Sequence, residues 1–295
     1  MLLSITWNID PEIFSLGPIH VRYYGVLFAL AFVCDYLIFV RFFKREKLPL
    51  PLLDTLTMWA VIFTIVGLRL GHCLFYEPAH YLAHPFDMLK IWEGGLASHG
   101  AAVALPLGLF LFCRKYKMSY LWLLDRIVIV VALTGFFIRI GNLMNSEIYG
   151  VQTSLPWGFI FERRHEIMPK HPTQIYEALA YLLIFFILLH IFVKKDNLRR
   201  RGGFLFGAFL TLLFTFRFLV EFIKERQVDF EEGMLLDMGQ LLSIPFVLAG
   251  VCLLIYSLRC APQSKPFIGN VNPFEDKAKE KQGAPRSKSG DRVKK

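Results

Sequence analysis

What this chain lacks first is an early positive charge: no Lys or Arg precedes Arg22. A cleavable secretory leader needs a basic segment ahead of its apolar stretch, so none is expected here. The five cysteines (Cys34, Cys73, Cys113, Cys252 and Cys260) include no CxxC pair and no Cys/His spacing suited to a metal. They read as small packed residues in apolar runs, and neither a metal nor another cofactor is expected. GxSxG, HExxH, phosphate-loop and dinucleotide-binding patterns are also missing. Their absence argues against the commonest hydrolase, zinc-protease, nucleotidase and dehydrogenase chemistries. No convincing internal repeat is visible, and repeats are the usual mark of a secondary transporter.

What is present is apolar sequence. Hydrophobic residues make up 55% of the 295 positions, 29 of them Phe, and mean hydropathy is +0.46. Soluble domains hold about 45–50% apolar residues, so the excess predicts an integral membrane protein. Crossing a bilayer takes about 20 apolar helical residues. Seven segments qualify: residues 23–40, 55–75, 96–113, 121–142, 174–193, 204–222 and 234–258. The expected fold is an all-α bundle of seven transmembrane helices with polar outer-side loops. Its third span is the weakest, being short and carrying Pro106. Pro245 in the last is tolerable where neighbouring helices or waters take up the freed carbonyl.

The formal net charge of +9 suggests nucleic acid until its distribution is read. Twelve basic residues fall in three short loops after the first, third and fifth spans: Arg41, Lys44, Arg45 and Lys47; Arg114, Lys115 and Lys117; Lys194, Lys195, Arg199, Arg200 and Arg201. The opposite loops hold six over longer stretches: Lys90, Arg163, Arg164, Lys170, Lys224 and Arg226. The positive-inside rule then places the N-terminus outside and the C-terminus in the cytoplasm. Residues 1–258 form the membrane domain. Residues 259–295, rich in Lys, Ser, Pro and Gly, form a basic tail expected to be disordered and to touch anionic lipid heads. Most of the charge marks topology, so no nucleic-acid partner is expected.

That orientation sorts the intramembrane polar residues. Arg69 and His72, Arg139 and Asn142, and Arg217 and Glu221 lie in the last halves of outward-running spans. Arg22 and Tyr24, His99, Gln174 with Tyr176 and Glu177, and Asp237 with Gln240 open inward-running spans. Nearly all of them converge on the outer half of the bundle; Asp35, Asp125 and Arg126 fall towards the inner side. An arginine near the middle of a span costs roughly 2.5–3.5 kcal/mol to insert and is a functional hypothesis by default. Three arginines in one polar cavity imply an anion, because the guanidinium fork matches phosphate and carboxylate. Glu147, Glu177 and Glu221 could instead neutralise Arg139, Arg217 and Arg69 internally. Both uses are expected, with some pairs holding the site and at least one arginine facing substrate.

The richest polar segment runs Arg139-Ile-Gly-Asn142-Leu-Met-Asn145-Ser-Glu147-Ile-Tyr-Gly150, where an apolar stretch meets a loop. Gly94-Gly95-Leu-Ala-Ser98-His99-Gly100 opens the third span. Glycines before a helix let backbone N–H groups approach an anion, and the helix N-terminus adds a favourable dipole. His99 suits a general base near neutral pH, or an ordinary interfacial histidine. His171-Pro-Thr-Gln-Ile-Tyr-Glu177 opens the fifth span with a proline start signal. Gly67-Leu-Arg-Leu-Gly71 has the small-xxx-small spacing of close helix contact. A haem or quinone protein would need facing histidines, and His72, His99, His171 and His190 make no obvious pairs. A transporter of an organic anion is the alternative from another class.

These blocks recur in a fixed order: Gly17-Pro18 with Arg22-Tyr-Tyr24-Gly25, Gly67-Leu-Arg69-Leu-Gly71, and Trp92-Glu93-Gly-Gly95 leading into Ser98-His99-Gly100. Then come the segment 139–150, His171 to Glu177, Phe216-Arg217 with Val220-Glu221-Phe222, and Met238-Gly-Gln240 with Ser243-Ile-Pro245. In that order, from about residue 9 to residue 258, the chain resembles the bacterial prolipoprotein diacylglyceryl transferases. The resemblance implies an enzyme of the bacterial cytoplasmic membrane that moves diacylglyceryl from phosphatidylglycerol to the lipobox cysteine of a preprolipoprotein signal peptide. A thioether would form and glycerol phosphate would be released. By the same resemblance His99 activates the thiol, and Arg139 and Arg217 bind the lipid head group. Tyr24, Gly100, Asn142, Asn145, Glu147 and Gly150 would line the same pocket, with the loop 143–170 covering it outside. Asp125 also matches a family position, but its inner-side placement reads as structural.

Three positions depart from the family pattern. Ile138 stands where Gly is usual, Leu143 where Phe is usual, and Leu213 where a tyrosine is often found one turn before the second arginine. The last puts an essential hydroxyl at that place in doubt, but not the arginine's role.

Overall fold

The computed structural model describes residues 4–17, 19–90, 94, 95, 97–225 and 235–260. Pro18, Trp92, Glu93, Leu96, Arg226, Met234 and the tail from residue 261 lie outside the described residues. The helices are α1 (Tyr23–Arg45), α2 (Leu50–Phe75), α3 (Pro78–Ala83), α4 (Ser98–Tyr116), α5 (Tyr120–Met144), α6 (Thr173–Lys194), α7 (Asp196–Arg199), α8 (Phe204–Glu221) and α9 (Met238–Arg259). Six of them, α1, α2, α5, α6, α8 and α9, are long and apolar enough to cross a membrane. Over the expected third span, α4 has 19 residues, and Ser98 and His99 at one end with Arg114 and Lys115 at the other dilute its hydropathy.

Helix starts follow local signals. Pro51 lies in the first turn of α2 and sets its start at Leu50, five residues before the apolar run suggests. Asp237 and Gln240 form a reciprocal capping box at α9. The start of α8 is capped from a distance: the buried Asp125 carboxylate accepts from the Gly203 and Phe206 N–H groups, both at 2.8 Å. That agrees with a structural Asp125.

The described helices gather in two compact units, which divide the chain after Phe42 and after Ser119. One unit holds most of α1 with α5, α6, α8 and α9. Its core is built from fully buried Ile129, Leu188, Phe192 and Leu205, and Leu213 packs against that cluster as a plain apolar residue. The other unit holds α2 to α4. Exposed faces are apolar, with Met58 and Ile62 on α2 and Leu242 and Leu248 on α9. Such faces suit lipid, where helices satisfy their own backbone and need no polar coat.

Short strands, which the all-α expectation omits, occur only outside the helices. β1 (Ile5–Trp7) pairs in parallel with β4 (Phe159–Phe161), and β2 (Glu12–Leu16) and β3 (Ile19–Arg22) make an antiparallel hairpin running into α1. The Trp7 indole donates to the Leu143 carbonyl at 3.0 Å. Leu143, Phe159 and Phe161 form a small buried cluster. The segment 143–170 is thereby packed onto the end of α5.

Candidate functional site

The site grows from the last turns of α5. Arg139 and Asn142 share one face there, as i, i+3 spacing requires. Arg139 is 9% exposed, and its Nη2 lies 2.9 Å from Oε1 of Glu177 on α6. Its Nη1 donates to Asn142 Oδ1 at 3.4 Å, and its guanidinium carbon sits 5.9 Å from the Tyr181 ring centroid. Asn142 donates through Nδ2 to Glu147 Oε1 at 2.8 Å, and Asn145 donates to the same oxygen at 3.2 Å. Glu147 is thus held by amides and, among the described residues, pairs with no arginine. Glu177 is fully buried and keeps Oε2 without a hydrogen bond. Desolvating such a pair costs several kcal/mol per ion, so it needs this quality of geometry to exist.

The loop beyond α5 is fastened to the next helices. Gln174 Nε2 donates to the Glu147 carbonyl at 2.7 Å and Thr173 Oγ1 to that of Ile148 at 3.0 Å. Gly150 forms an antiparallel bridge with Lys224, and Val151 N donates to the Ile223 carbonyl at 3.0 Å. A Cβ at Gly150 would overlap the Ile223 carbonyl and crowd His171 and Thr173. Any side chain there would push the end of α8 away. Tyr24, at the start of α1, lies against Gly141, whose added Cβ would come within 2.7 Å of the ring. It also lies within the electrostatic fields of Glu147 and Arg139.

On α8, Arg217 and Glu221 are four residues apart, the spacing at which helices pair opposite charges. They do not pair. Glu221 Oε2 faces Lys224 Nζ at 3.6 Å, and Lys224 Nζ also reaches Glu177 Oε1 at 3.6 Å. The Lys224 side chain is 5% exposed. Burial pushes its pKa below that of an ordinary lysine; Glu177 and Glu221 oppose the shift, and the positive fields of Arg139 and Arg217 add to it. Lys224 thus faces both carboxylates and feels the fields of both arginines. Arg217 is half-buried and, among the described residues, has no hydrogen bond or ion pair.

His99, Gly100 and Arg69 belong to the other compact unit. His99 is exposed on the first turn of α4, its ring stacked 5.7 Å from Tyr76 and edge-on 5.4 Å from Phe75. Gly100 sits where α4 crosses α2: a Cβ there would overlap the Gly67 carbonyl and crowd Gly71. Close helix packing by itself requires this glycine. Arg69 donates to backbone carbonyls of Asp87 at 2.6 Å, Met88 at 3.0 Å, Gly94 at 2.5 Å and Gly95 at 3.2 Å. Glu147, Glu177 and Glu221 do not neutralise all three arginines. Only Arg139 has such a partner; Arg69 is held by a loop backbone instead.

The structure thus brings Tyr24, Arg139, Asn142, Asn145, Glu147 and Arg217 into one unit, with Gly150 as the wedge behind them. Two participants escape sequence reasoning. Lys224 counts there only as a loop charge, and Tyr181 only as part of an apolar helix. The available signal was spacing: Tyr181 follows Glu177 by one turn, and Lys224 follows Glu221 by three residues.

Comparison with known proteins adds identity to this geometry. Residues 11–256 match the family model described as prolipoprotein diacylglyceryl transferase. The chain is similar to the phosphatidylglycerol–prolipoprotein diacylglyceryl transferase of Tolumonas auensis, 49% identical over 254 residues, covering 86% of this chain and 97% of the relative. It is 44% identical over 262 residues to the protein of that name from Chloroherpeton thalassium, covering 88% and 97%. With the one from Rickettsia akari it shares 37% over 255 residues, covering 85% and 97%.

Proposed function

This chain belongs to the prolipoprotein diacylglyceryl transferase family, and from that premise we propose how its residues carry the reaction. The protein is a multi-pass membrane transferase that moves diacylglyceryl from phosphatidylglycerol to prolipoprotein in lipoprotein biogenesis. In the proposed path the lipid phosphate lies on Arg217 and Arg139, with Tyr24, Asn142, Asn145 and Glu147 around the head group. The lipobox cysteine sulfur attacks the glyceryl carbon that bears the phosphate ester. A C–S thioether forms as the C–O bond breaks, and glycerol phosphate leaves with the electron pair. The thiol proton passes to His99.

The chemistry needs both kinds of group. A free thiol has pKa about 8.5, so little thiolate exists at neutral pH, and a positioned base contributes roughly 10²–10⁴-fold. Charge builds on the departing phosphate, where preorganised donors in a dry site act most strongly. One observation carries the reading: Arg139 is already neutralised by Glu177, while Arg217 on α8 has no partner among the described residues. That leaves the Arg217 guanidinium free of a carboxylate partner to meet the phosphodiester anion.

We place the enzyme in the bacterial cytoplasmic membrane, with α4 as a seventh crossing, the N-terminus outside and the C-terminus in the cytoplasm. Residues 1–258 act as one catalytic domain, the segment 143–170 roofs the site, and the tail from 259 meets anionic lipid. The test is purified protein with labelled phosphatidylglycerol and a lipobox peptide. Lipidated peptide and released glycerol phosphate in equal amounts support the reaction. Flux of an organic anion into proteoliposomes without lipidated peptide would return it to the transporter class.

A further inference from the structure

The ion pairs around Arg217 pose a question of charge. Three cations (Arg139, Lys224 and Arg217) and two carboxylates (Glu177 and Glu221) stand at the ends of α5, α6 and α8. Glu221 lies one helical turn from Arg217, and on an isolated helix that pair would form. It would also place a guanidinium against a carboxylate in a half-buried setting, where the attraction far exceeds its value in water. An Arg217 closed in this way would have no charge left for a phosphate.

We propose that Lys224 is a positioning residue that holds Glu221 away from Arg217 and so keeps the Arg217 guanidinium open for the phosphate of phosphatidylglycerol. The inference deepens the reading above, in which Arg217 takes that phosphate. Three observations carry it. Lys224 Nζ is 3.6 Å from Glu221 Oε2 and 3.6 Å from Glu177 Oε1, so one ammonium draws on both carboxylates. Its backbone is fixed by the bridge to Gly150, which aims the side chain inward and leaves it 5% exposed. Glu221 is further confined by Gly239, where an added Cβ would overlap the carboxylate. Burial and the neighbouring arginines weaken the hold of Lys224 on its proton, and Glu177 and Glu221 sustain it. The ammonium and its carboxylates stay together because neither is stable there alone.

The consequence is specific to lipid binding. Lys224→Met frees Glu221 to turn onto Arg217, so KM for phosphatidylglycerol rises at least about tenfold, the factor expected from losing about 1.4 kcal/mol, while kcat changes less. Lys224→Arg keeps the charge and keeps KM near that of the native protein. In the double variant K224M/E221Q the carboxylate that would close Arg217 is gone, so KM returns towards the native value. The measurement is the dependence of transfer rate on phosphatidylglycerol in detergent micelles, with monodisperse elution required of each variant.

Arg217→Gln separates the two levels of the argument. A native KM in Arg217→Gln overturns the phosphate role itself. Raised KM in Arg217→Gln with an unaltered KM in Lys224→Met overturns the inference about Lys224 alone. Raised KM in Lys224→Met that K224M/E221Q leaves unrescued also overturns it, and assigns Lys224 to direct lipid contact or to simple packing.

Discussion

Arg139 shows how much one side chain does when it is buried beside charge. Its fork divides between the Glu177 carboxylate at 2.9 Å and the Asn142 amide oxygen at 3.4 Å. Asn142 then orients Glu147. A lysine at this position carries the same charge but presents one compact ammonium, which cannot span both partners. Arg139→Lys is therefore expected to slow transfer by about ten- to hundredfold, the range for losing one charged hydrogen bond of about 1.5–3 kcal/mol. Initial rates at equal amounts of folded protein check this, and a native rate would remove Arg139 from the site. Arg139→Ala is expected to abolish transfer in the same assay while the variant still fractionates with the membrane. Tyr181 bears on the departure at Leu213. Its hydroxyl lies 3.5 Å from Glu177 Oε1, whereas Leu213 is absorbed into apolar packing. Tyr181 thus supplies a phenol at the Arg139–Glu177 pair.

Among the elements, α8 is the one whose placement matters most, since it carries Arg217 and Glu221. Its start is tethered by Asp125, which accepts two of the N–H groups that a helix N-terminus leaves unpaired. Asp125→Ala leaves those donors buried without partners, at a cost of about 1–3 kcal/mol. The expected result is a lower unfolding midpoint in detergent with transfer per folded molecule within about twofold of native. A native midpoint with abolished transfer would instead make Asp125 a functional residue. At this scale the sequence was legible wherever the signal was local. The apolar runs gave the helices, proline and the Asp237–Gln240 box gave their starts, and the segment 139–150 declared its polar role by lying at a helix end. Long-range partners were not legible. Nothing local says that Arg69 will meet the carbonyls of Asp87 and Gly94 rather than a glutamate. The turn after α8 likewise gives no hint that Gly150 draws Lys224 inward. The strand pairing of β1 with β4 joins residues about 150 apart, and three-residue strands carry too little pattern to be seen.

For the whole molecule, the proposed crossing by α4 is a question of parity. Six helices meet the length and apolarity of a span without it. If α4 failed to cross, both termini would share one side. The basic loop after α4 (Arg114, Lys115 and Lys117) would then lie opposite the loop at residues 41–47, and the loop at 194–201 would be opposite too. With residues 41–47 in the cytoplasm, that arrangement leaves two basic loops outside and Arg139, Asn142 and Glu147 on the cytoplasmic side; turned over, it leaves the loop at 41–47 outside. With α4 crossing, all three basic loops share the cytoplasm and the polar cluster faces out. The close seat of α4 on α2 at Gly67, Gly71 and Gly100 gives a weakly apolar helix the partner it needs to remain in the bilayer. A reporter that fluoresces only in the cytoplasm, fused after residue 260, should therefore be bright, while one fused at the N-terminus stays dark. Single cysteines at residues 90 and 115, which flank α4, should label from opposite faces of intact membranes. Labelling of both from the same face would mean that α4 does not cross.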